Sequence, residues 1–79
     1  MAKVGMMLND IAANYDNAGR YAEAGKTYTR ALAISEKALG ADHRQVALVL
    51  GNFSGLQRKL ARHAEALTLA EQALRIYEK

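Results

Sequence analysis

Apolar residues recur along this chain at spacings of three and four, and no stretch alternates at the period of two that a half-buried strand needs. Between residues 4 and 18 the positions Val4, Met7, Leu8, Ile11, Ala12 and Tyr15 form one stripe. Asn17-Ala18-Gly19 then supplies a stop, with glycine at the left-handed position past a helix end. A second helix is predicted from Arg20 or Tyr21 to Leu39, with Ala24, Tyr28, Ala31, Leu32 and Leu39 inward and Lys26, Arg30 and Lys37 outward. Gly40 ends it. Asp42 is placed to be the N-cap of a third helix, and Gln45 can complete a capping box ahead of Val46. That helix is expected to bury Val46, Val49, Leu50, Phe53 and Leu60, and the fourth, from about His63 to Tyr77, to bury Ala66, Ala70, Ala73, Leu74 and Tyr77. The short loops make successive helices antiparallel neighbours.

Sliding the sequence by 42 residues places Val4 on Val46, Leu8 on Leu50, Arg20 on Arg62 and Ala22-Glu23-Ala24 on Ala64-Glu65-Ala66. The match continues through Ala31 and Ala73, Leu32 and Leu74, and Ile34 and Ile76. The chain therefore reads as a single all-α domain, residues 1–79, holding repeat one at 4–40 and repeat two at 43–79. Through MLNDIAANYDNAGRYAEA and YTRALAISEKALGADH, the first repeat resembles the tetratricopeptide repeat, in the 42-residue variety typified by kinesin light chains. The resemblance implies two tandem helix-turn-helix repeats, four antiparallel helices forming a fragment of an α-solenoid. It matches Ala12, Tyr15, Gly19, Ala24, Tyr28 and Ala31 to the family's small, aromatic and turn positions. The second repeat departs from the pattern, with Gln57 and Ala70 in place of aromatics, Ala61 in place of the turn glycine and His63 in place of a tyrosine.

Seventy-nine residues bury only ~60% of the surface an unfolded chain exposes, so the core will be thin. With no cysteine, disulfides and thiolate zinc sites are excluded, which leaves a partner subunit as the expected extra stabilisation. No apolar run approaches the ~20 residues that span a bilayer, and nothing at the start reads as a secretory leader, so a cytoplasmic protein away from membranes is expected. The net charge of +3 is modest, and the basic residues are dispersed apart from Arg58, Lys59 and Arg62, so nucleic acid is not the expected partner. His43 and His63 lack the partners of a helical metal site, and no nucleophile, base and orienter stand together. No enzyme activity, metal or cofactor is expected.

Opposite the first stripe lie Met6, Asn9, Asp10, Ala13, Asp16 and Asn17, and in the third helix Leu48, Gly51, Asn52, Gly55, Arg58 and Lys59. In the tetratricopeptide family this face lines a concave groove that holds an extended peptide, with an asparagine bonding its backbone. The resemblance thus implies a groove of Asn9, Asp10, Ala13, Asp16, Gly51, Asn52, Gly55, Arg58 and Lys59, with Asn9 and Asn52 as the foremost ligand contacts. A plain solvated face is the other reading. Asp10 and Asp16 make one repeat's face acidic, while Arg58 and Lys59 make the other's basic, so antiparallel copies would match charges, as would a charged peptide.

Around the fourth helix Leu67, Leu69 and Ile76 widen the apolar arc well past the ~100° that a surface helix buries. A third repeat would cover that surface. The expectation is therefore a fragment of a longer array, or an engineered unit, that covers it by self-association, as a dimer. Lys59, Leu60, Ala61 and Arg62 all favour continued helix, so these residues are either an unusual hairpin turn or the hinge of an exchanged dimer. The function expected is protein-protein interaction, by peptide capture in the groove or by assembly with other repeat units. A purely structural self-associating unit without a ligand is the alternative.

Overall fold

The computed structural model describes residues 2–78, which fold as four helices in chain order: α1 (Ala2–Asn17), α2 (Tyr21–Leu39), α3 (Arg44–Lys59) and α4 (His63–Glu78). Each break between them has a local cause. After α1 the Arg20 N–H donates to the Tyr15 carbonyl (2.8 Å) and the Gly19 N–H to the Asp16 carbonyl (3.0 Å), with Gly19 at φ +80°. This paired closure satisfies carbonyls that the helix end leaves open. After α3 the same two bonds recur, from Arg62 to Gln57 (2.8 Å) and from Ala61 to Arg58 (3.0 Å), with Ala61 at φ +61°. The segment 60–62 is thus a hairpin turn and not a continuous helix. Its two bonds hold an alanine in the left-handed region that elsewhere the chain gives to glycine.

The start of α3 differs from expectation. His43, not Asp42, is the N-cap, with extended backbone (φ −75°, ψ 144°) and its ring Nδ1 accepting from the Gln45 N–H at 3.1 Å. The imidazole acceptor does the work assigned to a carboxylate, and Gln45 supplies its backbone rather than a reciprocal side chain.

α1 pairs with α2 and α3 with α4, while α3 lies across the seam of the first hairpin and touches both α2 and α1. The backbone of α4 approaches α3 alone, so the molecule is a slab 31 × 25 × 14 Å. One apolar cluster joins Ala12, Ala24, Tyr28 and Ala31 of the first hairpin to Val49 and Leu56 of α3. Alanines there let the helices close on each other, and the Tyr28 ring stacks on Phe53 with centroids 5.6 Å apart. A second cluster joins Val46, Ala47 and Leu50 to Ala73 and Ile76, with Leu32 packed against both.

Two helices turn differently from their predicted stripes. α1 buries Gly5, Asn9, Ala12 and Asp16, leaving Val4, Met7 and Ile11 exposed, because α2 and α3 cover one side of it and no described element covers the other. α4 presents Ala66, Ala73 and Ile76 to α3, while Ala70, Leu74 and Tyr77, expected inside, lie exposed about 80° further round the helix. Leu56, absent from the expected core, is fully buried, whereas Phe53 and Leu60 are only partly so.

Candidate functional site

α1 and α3 run side by side on one face of the slab, and there the structure brings together residues that stand 43 apart in sequence. The Asn52 amide donates to the Asn9 carbonyl oxygen at 3.2 Å, and the Lys59 ammonium donates to the Asp16 carboxylate at 2.8 Å. Asn9 is 3% exposed and Asp16 8%, so these groups fasten the repeats to each other. The hydrogen bond to Asp16 raises the Lys59 pKa above the usual lysine value. The same carboxylate, behind burial as the larger cause, also raises the Tyr28 phenol. Of the other residues assigned to this face, Asp10, Gly51 and Arg58 are exposed and Ala13 and Gly55 are half-buried. The polar pairs that a bound peptide would address are already engaged with each other.

The side of the slab formed by α3 and α4 is built otherwise. A groove of about 550 Å³ runs between α3 and α4, walled by Gly51, Ser54 and Arg58 on one side and by Ala66, Ala70, Ala73, Leu74 and Tyr77 on the other. His63 and Leu67 also reach it. Its floor is firm, since the Ser54 hydroxyl donates to the Ala66 carbonyl at 2.8 Å and joins the two helices. Leu67, Leu74 and Tyr77 are 61%, 56% and 53% exposed along this groove. Of the three residues assigned to an association surface, only Leu67 lies here. Leu69 is half-buried against the second cluster, and Ile76 belongs to that cluster.

Leu74 and Tyr77 were missed as surface residues because they follow the helical apolar period faithfully. The signal that finds them is the repeat itself. Shifted by 42, the residues of α1 and α2 that hold α3, among them Ala12, Asp16, Ala24, Tyr28 and Ala31, become Ser54, Arg58, Ala66, Ala70 and Ala73. The groove is therefore the second repeat's copy of the seat that α3 occupies on the first.

A family model for the tetratricopeptide repeat matches residues 3–79. The chain belongs to the tetratricopeptide repeat family. No individual curated protein matches the chain. Tetratricopeptide repeats form a non-catalytic scaffold of tandem helix pairs and mediate protein-protein interaction. Among the described residues no helix is long and apolar enough to cross a membrane, and no three His, Asp or Glu side chains come together as a metal site.

Proposed function

We propose that this chain is a protein-interaction unit of the tetratricopeptide type that works by accepting a helix in the groove between α3 and α4. One observation carries this reading: the groove repeats, position for position, the seat into which α3 packs on the first hairpin, and in the described residues it stands open. An apolar trough with two exposed leucines and a tyrosine has much to gain from being covered, on the order of 25 cal/mol for each Å² removed from water. Peptide capture on the α1–α3 face is the weaker reading, since a ligand there would have to compete with the Asn9–Asn52 and Asp16–Lys59 contacts.

The test is a titration of isotope-labelled chain with a peptide copy of residues 44–60, the segment that fills the equivalent seat. Saturable shifts at Ala70, Leu74 and Tyr77, abolished by Ala70→Glu, are expected. Shifts confined to Asn9, Asp16 and Asn52, or none, would overturn the reading.

A further inference from the structure

α3 seats on the first hairpin through a stripe that includes Val49, Phe53 and Leu56, with Val46 beside Leu32 in the second cluster, all buried or half-buried. The residues 42 positions earlier, Val4, Met7, Ile11 and Asn14, form the same stripe on α1, and every one of them is exposed. The chain thus carries at one end the inserting surface, and at the other the receiving groove, of a joint it already makes once in its middle. Among the described residues, all the large exposed apolar side chains except Leu48 fall on these two surfaces.

We infer that α1 of a second copy occupies the α3–α4 groove in the register that α3 takes on α1 and α2, so that copies stack head to tail. The inference rests on the reading of that groove as a helix-accepting surface and names its occupant. In this register Ile11 meets Ala70 where Phe53 meets Tyr28, so both sides of the contact become smaller together. Bulk returns beside it, because Leu67 replaces Gly25 and Tyr77 replaces Ser35 along the groove wall. Of the two polar pairs only one has a counterpart, since Asn9 and Asn52 become Gly51 and Asp10. Arg58 stands where Asp16 stands and faces Asn17 of the second copy, which stands where Lys59 stands, so a donor and an acceptor still meet with their roles exchanged.

The inserting and receiving surfaces are different patches of one chain, which makes the contact heterologous. Such a contact leaves one free surface at each end of every stack, and growth is open rather than stopped at the dimer.

Sedimentation of the full chain tests this. Wild type should show a mass that rises with concentration without a plateau at two copies. Met7→Glu spoils the inserting stripe and Leu74→Glu the groove, each placing an unpaired charge in an apolar contact, and each alone should associate at least roughly tenfold more weakly. Both positions are exposed, so folding should persist by circular dichroism, and Ile11→Glu with Ala70→Glu serves if either variant unfolds. The equimolar mixture of the two variants should recover association and stop at the heterodimer, since it holds one intact groove and one intact stripe. If Met7→Glu associated like wild type while Leu74→Glu did not, the groove reading would stand and α1 would be refuted as its occupant. A wild type that stays monomeric into the millimolar range would refute stacking outright, whatever the 44–60 peptide does.

Discussion

At the scale of single residues, the two hairpin turns provide an internal control. Gly19 and Ala61 occupy equivalent left-handed positions closed by equivalent hydrogen bonds, but a side chain there costs ~1 kcal/mol. Ala61→Gly should therefore raise the unfolding free energy by about 0.5–1 kcal/mol, and Gly19→Ala should lower it by about 1 kcal/mol, in urea denaturation at low protein concentration. A loss of stability in Ala61→Gly would mean that the second turn is not left-handed. The Asp16–Lys59 pair makes a prediction in pH. Lys59 holds its proton more tightly in the folded chain, chiefly through its bond to Asp16, so the pair's stabilisation is whole below the ordinary lysine range and fades as pH climbs through the raised value. The buried Tyr28 phenol, also raised, loses stability on the same alkaline side. Urea midpoints should accordingly separate Lys59→Met from wild type at neutral pH and bring them together in strong alkali. Neither effect was legible from residue type alone. Residue type points to Asp42 as the cap because Asp is the commoner acceptor, and it puts Asp16 on an open face because a carboxylate seldom sits 8% exposed without a cation that only the fold supplies.

At the scale of elements, all four helices and their order were legible, because glycines, short polar loops and a three-to-four apolar period mark them. The faces were less so. Apolar period reports that a stripe is buried in some contact, and it cannot separate a contact made within the chain from one left for a partner. Val4, Met7 and Ile11 read as core because Val46, Val49 and Phe53, their counterparts, pack in the interior. Small buried residues carry almost no such signal, so Gly5 went unnoticed, although it lets α1 lie against Ser35 of α2 with no room for a Cβ. Gly55 is the opposite case, since a methyl there would meet nothing closer than the end of the Arg58 side chain at 3.9 Å. Gly55→Ala should stabilise the chain by about 1 kcal/mol through α3 propensity, while Gly5→Ala should destabilise it by ~1–3 kcal/mol through overpacking. Thermal melts would show the two shifts in opposite directions, and a stabilising Gly5→Ala would contradict the close approach.

At the scale of the whole molecule, the second repeat's departures from the family pattern acquire a common meaning. Gln57 is buried in place of an aromatic, and Ala70 widens a groove that Tyr28 fills in the first repeat, so the second seat is roomier and more open than the first. The charge difference between the faces, read from sequence as a device for pairing copies, is spent inside the chain in the Asp16–Lys59 contact. Stacking should therefore hold or strengthen as salt rises, because each copy carries +3 and the contact is mainly apolar and holds no opposite-charge pair. Antiparallel pairing by charge would weaken under the same titration. The most direct measurement uses the absence of cysteine from the chain. A variant carrying Ile11→Cys and Ala70→Cys, treated with a short bis-maleimide at a concentration where wild type assembles, should give a ladder of covalent dimers, trimers and longer stacks, while either single variant stays monomeric. A double variant that remains monomeric, or an Ala70→Cys chain that links into dimers as readily as the double variant, would contradict head-to-tail stacking.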